Sequence, residues 1–155
     1  MKGNKKVLAV LNQLLADELT AISQYMVHSE MCKSWGYGKL HDAIEKQAID
    51  EMHHAEWLIG RILALEGLPI VDKLNRMKFG HTVLEMVTVD EDAELDAVRA
   101  YNAAITLCGE VQDHATADLL TKILKMEEGH VEWAETQRDQ IEQVGAQNYL
   151  ANQVG

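Results

Sequence analysis

The chain has 155 residues, a formal net charge of −11, 47% hydrophobic residues and a single proline. This length suits one domain with a buried core, and the composition favours helices. The negative charge argues against binding to a nucleic-acid backbone, which needs lysine and arginine, and it suits the attraction of cations.

The cysteines and the N-terminus indicate the expected compartment. Cys32 and Cys108 are far apart and form no Cys-x-x-Cys pair, so we expect two reduced thiols in a cytoplasmic protein. The N-terminal segment is amphipathic and lacks the continuous apolar run of a signal peptide. No stretch approaches the roughly 18 apolar residues that a membrane-spanning helix needs.

Hydrophobic periodicity predicts four long helices in chain order. Apolar residues three or four apart predict helices over about 5–33, 40–65, 82–111 and 116–144. Glycine-containing segments at 35–38 and 67–69 and the single Gly145 mark the predicted helix ends. A tail at 147–154 has room for one or two further turns. We therefore predict an all-α fold in which residues 1–155 form a single domain.

The connection at 67–81 is unusually long for a compact bundle. Fifteen residues span about 50 Å when extended, at roughly 3.3 Å each. A helix of about 27 residues is about 40 Å long. The connection can therefore run the length of the bundle and join two parallel helices, which predicts a four-helix bundle with a long crossover.

The chain carries two Glu-x-x-His motifs, and their spacing indicates a duplication. Four pairs of residues share an offset of 76 positions: Glu18 and Glu94, Tyr25 and Tyr101, Glu51 and Glu127, and His54 and His130. Each half therefore supplies one glutamate and then a Glu-x-x-His motif. The pattern predicts a duplicated helical hairpin with six candidate ligands on its apolar faces.

Six polar residues on apolar helical faces indicate a metal site. An ionised carboxylate in such a place is costly unless it is paired or bound to a metal. Residues i and i+3 of a helix share a face, so Glu51 and His54 can point at one centre. Four carboxylates and two imidazoles suit two ions of iron or manganese, whereas zinc prefers fewer ligands with more nitrogen or sulfur. One such residue alone would more often be a solvated glutamate or a packed histidine.

Two neighbouring residues leave alternatives open. Met52 follows the inward-facing Glu51 by about 100° of helical rotation and so points away from the core. It is either a partly exposed or interface methionine, or a thioether ligand to haem iron at an interface. Tyr25 lies two turns after Glu18 on the same face. It is either a core tyrosine with a satisfied hydroxyl, or a hydrogen-bond partner of a metal-binding carboxylate with a redox role as a further option.

With these motifs, the chain resembles the bacterioferritins over nearly its whole length. The similar segments are Met1-Lys2-Gly3, Ile49-Asp50-Glu51-Met52 with His54-Ala55, Leu65-Glu66-Gly67-Leu68-Pro69, Glu127-Glu128-Gly129-His130 and Gln147-Asn148-Tyr149-Leu150. The resemblance implies a ferritin-like four-helix bundle with a short fifth C-terminal helix. It places six residues on a ferroxidase centre with Glu51 and Glu127 bridging: Glu18, Glu51, His54, Glu94, Glu127 and His130. Met52 matches the residue that ligates haem b from two subunits across a dyad.

The resemblance also implies a function. We expect a homo-oligomeric cage of 24 subunits, built from dimers, that oxidises Fe(II) with O2 or H2O2 at the di-iron centre and stores ferric mineral. The haem would pass electrons inward to release iron, with a ferredoxin as the expected donor. Some family members carry a histidine one turn before the bridging glutamate, which binds an extra iron together with an aspartate. Here Lys46 stands at that position although Asp50 is present, which puts the extra site in doubt.

Two other functions stay open at this point. A di-iron oxidase or peroxidase of the rubrerythrin or manganese-catalase kind would use the same ligands without storing metal, but the chain has no Cys-x-x-Cys segment to support it. A non-enzymatic haem protein, or a mainly structural subunit of a mixed cage, is disfavoured by the complete set of six ligands.

Overall fold

The fold was obtained as a computed structural model, which describes all residues 1–155. It contains four long helices and a short fifth: α1 (Lys5–Ser34), α2 (Gly38–Ala64), α3 (Val83–Glu110), α4 (His114–Val144) and α5 (Ala146–Ala151). The predicted all-α fold, with four long helices and a short fifth at the C-terminal end, is confirmed. No helix combines the length and the hydropathy needed to cross a lipid bilayer.

Local chemistry at the helix ends explains small shifts from the predicted bounds. The fourth helix begins before residue 116 because Asp113 caps it, accepting a hydrogen bond from the Thr116 N–H at 3.1 Å. The second helix ends before Gly67, and Glu66 turns the chain with a φ of 59°. Gly145 has a φ of 81° and ends α4 as predicted, since glycine adopts such a conformation without strain.

The helices pair as two antiparallel hairpins, α1 with α2 and α3 with α4. Contacts between the hairpins run in opposite directions along α1 and α3, because Glu18 meets Tyr101 whereas Tyr25 meets Glu94. Helix α3 is therefore antiparallel to α1 and parallel to α2. The long connection at 65–82 is the crossover that this arrangement requires.

Polar side chains on one stripe of α1 hold the crossover in place, and we call them the α1 polar ladder. Four crossover N–H groups donate to this ladder over 2.9–3.3 Å: Ile70 to Asn12, Asn75 to Thr20, Lys78 to Gln24 and Gly80 to His28. A backbone N–H group that does not hydrogen-bond to water needs an acceptor within the protein. The ladder therefore sets the path of the crossover along α1.

The last rung of the ladder is a buried network around His28. Its Nε2 accepts from the Gly80 N–H at 3.1 Å, while its Nδ1 lies 3.0 Å from the Asp90 carboxylate. Gln24 donates to the other oxygen of Asp90 at 2.9 Å. Because the backbone N–H of Gly80 can only donate, Nε2 is the acceptor and Nδ1 is the atom that faces Asp90. The network ties α1, the crossover and α3 together.

Two apolar clusters fill the bundle on either side of a polar layer. One cluster includes Leu11, Leu15, Leu58 and Ile62, and the other includes Ile44, Met86, Val87 and Ile141. The six candidate ligands lie between the clusters, near the middle of the four long helices. A layer of charge is thus enclosed in an apolar core, where it needs a compensating partner.

Candidate di-metal centre

The structure brings all six predicted ligand residues together in the centre of the bundle. They are between 0 and 8% exposed, and they come from all four long helices: Glu18 from α1, Glu51 and His54 from α2, Glu94 from α3, and Glu127 and His130 from α4. Each Glu-x-x-His motif presents both of its polar residues to the interior, as the i and i+3 spacing predicts.

The donor atoms form two overlapping groups, within each of which the atoms lie within 4.8 Å of one another. The first position comprises Glu18, Glu51, His54 and Glu127, and the second comprises Glu51, Glu94, Glu127 and His130. Glu51 and Glu127 belong to both groups. This geometry suits two cations that share two carboxylates and each have one terminal glutamate and one imidazole.

Five buried polar atoms at the centre make no hydrogen bond. They are one carboxylate oxygen from each glutamate and the Nδ1 atom of His130: Glu18 Oε2, Glu51 Oε1, Glu94 Oε2, Glu127 Oε2 and His130 Nδ1. Two of these atoms, Glu51 Oε1 and His130 Nδ1, lie 2.9 Å apart but lack the geometry of a hydrogen bond. Buried polar atoms are nearly always paired, so this group of atoms calls for an explanation. Oxygen and imidazole donors in this number fit iron or manganese.

Burial and mutual repulsion perturb the carboxylates. Burial raises the pKa of Glu18 well above its usual range, and the neighbouring charge of Glu51 adds to the effect. The pKa of Glu94 is raised well above its usual range by burial and by the charge of Glu127. Burial acts in the same direction on Glu127, but hydrogen bonds from its neighbours, Glu94 first, hold its pKa well below the usual range. A cation between these groups would relieve the repulsion.

Both histidines point Nδ1 at the carboxylates. His54 Nδ1 lies 3.0 Å from a Glu127 oxygen, and His130 Nδ1 lies 2.9 Å from a Glu51 oxygen. Burial disfavours the charged form of His54, but the carboxylates of Glu127, Glu18 and Glu51 outweigh it and raise its pKa to about 12. The pKa of His130 is raised by its own carboxylate neighbours against the same opposition from burial. A metal ion bound by Nδ1 of either ring would have to displace the proton from that atom.

Two tyrosines bind the terminal glutamates across the hairpins. The Tyr25 hydroxyl donates to Glu94, and the Tyr101 hydroxyl donates to Glu18 at 2.5 Å. Burial raises the pKa of both phenols well above the usual value, and the adjacent carboxylate of Glu94 or Glu18 adds to it. The contact expected for Tyr25 is therefore present. Sequence reasoning missed Tyr101, although its 76-residue offset from Tyr25 was the signal that could have found it.

The family model described as a ferritin-like domain matches residues 8–144. The chain belongs to the ferritin-like family. It is 43% identical to the bacterial ferritin of Synechocystis sp. over 155 residues, which cover 99% of each chain. It is 39% identical to the bacterioferritin of Mycolicibacterium paratuberculosis over 151 residues, 97% of this chain and 95% of the relative. Identity to the bacterioferritin of Brucella melitensis is 36% over 149 residues, 96% and 92% of the two chains. The resemblance to bacterioferritins is confirmed.

The outer nitrogens of the two histidines in this ferritin-like chain have different partners. His130 Nε2 lies 3.0 Å from an Asp50 oxygen, whereas His54 Nε2 lies 3.3 Å from the Met126 sulfur. Asp50 and Met126 are themselves 76 positions apart. Sequence reasoning considered Asp50 only for an extra iron site and did not consider Met126. Because these two positions carry different residue types, the common offset did not single them out.

A cavity of about 280 Å³ connects the ferritin-like centre to the side of the bundle covered by the crossover. Its inner wall includes Glu18 and Glu94, and its outer wall includes Asp17, Arg76 and Lys78. Helices α1 and α3 form the sides. The cavity therefore extends from the ligand carboxylates to the crossover, a feature that the sequence pattern did not reveal.

Met52 lies outside the centre, as its place in the helical rotation predicts. It is 42% exposed on α2, next to the buried Glu51. His53 is also turned outward, with 48% of its side chain exposed. Lys46 is exposed one turn before Asp50. Met52 is therefore not a ligand of the buried positions and is free to meet a second molecule.

Proposed function

We propose that this chain stores iron and is a ferroxidase, with Fe(II) as the substrate of the buried centre. The observation that carries the proposal is the pair of overlapping donor groups that share Glu51 and Glu127. The names bacterial ferritin and bacterioferritin of its relatives support iron as the metal. In this proposal the whole chain, residues 1–155, acts as one ferritin-like domain.

Each residue of the centre has a distinct task in the proposed reaction. Glu18 and His54 hold Fe(II) at the first position, Glu94 and His130 hold it at the second, and the two shared glutamates bridge them. Each iron loses one electron to a common oxidant, O2 or H2O2, which takes up two electrons and two protons. Fe(II) displaces the protons that Glu18 and Glu94 hold in the metal-free centre, because a liganding carboxylate is deprotonated, and the two protons taken up by the oxidant come from solvent. Tyr25 and Tyr101 fix the orientation of the terminal carboxylates.

Stopped-flow absorbance of Fe(II) oxidation tests the assignment. Glu127→Ala removes a ligand that both positions share. Loss of a partner outside the ligand shell commonly costs about 10–100-fold in metal affinity or activity, so we expect this variant to lose more than roughly a hundredfold in rate. Glu128→Ala is the matched control, because Glu128 is the exposed neighbour on the same helix.

The outcome separates the proposed function from its alternatives. Rapid oxidation by Glu127→Ala would refute the assignment of the centre. Oxidation without retained ferric mineral would favour an oxidase or peroxidase that does not store metal. Light scattering on the same samples measures whether each variant still assembles, so that a folding defect is not mistaken for a loss of chemistry.

We propose that 24 copies, arranged as dimers, form the storage cage and that haem b binds between two subunits through Met52 of each. The support is the exposed thioether of Met52 on the outer side of α2, where a second subunit can reach it. The bound haem would supply one-electron chemistry for iron release, with a ferredoxin as the proposed donor and the cytoplasm as the proposed location.

A visible spectrum of purified protein tests the haem proposal. Met52→Leu should remove the haem absorption bands, and Met52→His should change them, because both replace the thioether ligand. Met26→Leu is the matched control, since Met26 is also exposed. Full haem content with unchanged bands in Met52→Leu would show that Met52 is not the axial ligand.

A further inference from the structure

The two candidate metal positions differ on the outer side of their histidines. Both imidazoles point Nδ1 at the shared carboxylates, so Nε2 is the atom through which the surroundings act on each ring. Nε2 of His130 meets the Asp50 carboxylate, and Nε2 of His54 meets the Met126 thioether. The repeat therefore places a strong acceptor behind one ligand and a weak one behind the other.

The strength of the outer acceptor affects how well an imidazole binds a metal. A carboxylate that accepts from the far N–H fixes the tautomer and ring orientation and increases electron donation to the metal. A thioether sulfur is only a weak acceptor. The remaining outer surface of His54 packs on the Trp57 ring, with ring centroids 5.6 Å apart. No carboxylate thus supports His54 in the way that Asp50 supports His130.

We propose that the centre holds its two metal ions unequally, and that Met126 sets the difference. The position with Glu94 and His130 binds tightly, and the position with Glu18 and His54 binds weakly. Met126 is a positioning residue that acts through His54. This inference rests on the proposed di-metal centre and adds an order of filling to it.

The inequality has a consequence for turnover. The tight position fills first and keeps its ion, so the ion at the weak position is the one that arrives and leaves. Reaction with the oxidant needs both ions, since two electrons are taken up together. The Fe(II) concentration at which oxidation begins is then determined by the weak position, which holds Glu18 and His54, and by Met126.

Anaerobic calorimetric titration of the assembled protein with Co²⁺ tests the proposal without depending on activity. The wild-type chain should bind two Co²⁺ per subunit in two steps that differ by at least about tenfold in affinity. Met126→Asp, which copies the Asp50 arrangement, should strengthen the weaker step by roughly tenfold and bring the two steps together. Met126→Leu removes the sulfur without adding an acceptor and should leave the steps unequal.

Two further variants separate a local hydrogen bond from general attraction of cations. Met126→Asn adds a neutral acceptor and should strengthen only the weaker step. Asp50→Leu removes the carboxylate behind His130 and should weaken the tighter step by about 10–100-fold. If Met126→Asp strengthens both steps equally, added negative charge explains the result and the proposal is wrong. If Met126→Asp does not assemble, Asp50→Leu still tests the proposal, because it should weaken the tighter binding step.

Crystals grown with one equivalent of Co²⁺ per subunit show which position fills first. We expect the stronger anomalous peak beside His130 in the wild-type protein and nearly equal peaks in Met126→Asp. Equal wild-type peaks, or a stronger peak beside His54, would overturn the inference while leaving the di-metal centre intact. A chain that binds no Co²⁺ at either position would instead refute the proposed function itself.

Discussion

The first hairpin, α1 with α2, and the second, α3 with α4, present the same ligands, yet their surroundings differ. A glutamate, a tyrosine and a Glu-x-x-His motif recur at an offset of 76. The residues around them do not. Where α1 carries the ladder residues Thr20, Gln24 and His28, α3 carries Asp96, Ala100 and Ala104 at the same offset.

The difference between the hairpins has two separate causes. Metal binding requires matching ligands in both hairpins, whereas the connection between them requires hydrogen-bond acceptors. Two ions with a shared pair of carboxylates need near-symmetrical ligands, so each half supplies the same set. The crossover N–H groups of Ile70, Asn75, Lys78 and Gly80 all donate to side chains of α1, so α1 supplies most of the acceptors for the crossover backbone. Asymmetry next to the ligands, as at Asp50 and Met126, is then free to tune the two positions.

The largest expected effect comes from removing one terminal carboxylate from either hairpin. Glu18→Gln and Glu94→Gln should each reduce Co²⁺ binding from two ions to one per subunit and slow Fe(II) oxidation by more than about a hundredfold. The physical reason is that each position has only one carboxylate of its own. Titration calorimetry and stopped-flow absorbance measure both effects, with the exposed Glu30→Gln as control. If either variant still binds two ions, the two hairpins do not each supply a required terminal carboxylate.

The next effect concerns the hairpin that holds the crossover. His28→Ala would leave one oxygen of the Asp90 carboxylate and the Gly80 N–H without partners, while Gln24 still donates to the other oxygen, and this should lower the free energy of unfolding by roughly 2–3 kcal/mol. Chemical denaturation measures the loss, and hydrogen exchange should show faster exchange over 75–80. His81→Ala is the matched control because His81 is exposed in the same connection. Unchanged exchange at Gly80 would show that the ladder does not hold the crossover.

Metal binding should depend on pH in both halves. Glu18, Glu94 and His54 have raised pKa values, so the metal-free centre keeps protons that metal ions must displace. Affinity for Co²⁺ should therefore rise with pH, by about tenfold per pH unit for each proton released. Calorimetry in buffers of different ionisation enthalpy measures the release, and Glu94→Gln should release less. If the affinity for Co²⁺ falls as pH rises, the metal-free centre does not hold the protons that the raised pKa values indicate.

The smallest effect should come from the crossed tyrosines. Tyr25→Phe and Tyr101→Phe each remove one hydrogen bond to a terminal carboxylate, worth about 1 kcal/mol, and should slow oxidation roughly fivefold. Similar losses in both variants would show that the two tyrosines have equivalent roles, and a much larger loss in Tyr25→Phe would point to a redox role for that residue. Tyr37→Phe, at the turn between α1 and α2, is the control.

The ligands and the bundle were predictable because each depends on a repeating pattern along the chain. Helical periodicity identifies the face of each helix that points into the bundle, and the common offset identifies Glu18 and Glu94 as a pair. The partners of His54 and His130 were not predictable by the same means, because they come from another helix and depend on side-chain direction. The α1 polar ladder was missed for a related reason, since its acceptors serve a connection that has no periodicity of its own.

The α1 polar ladder makes the covalent connection between the hairpins less important than its length suggests. Hydrogen bonds anchor the crossover on both sides of an exposed stretch at Val71 and Leu74. No candidate ligand lies in the connection. A protease that cut this stretch would leave both fragments attached to α1, so the nicked subunit should keep its shape and its metal positions.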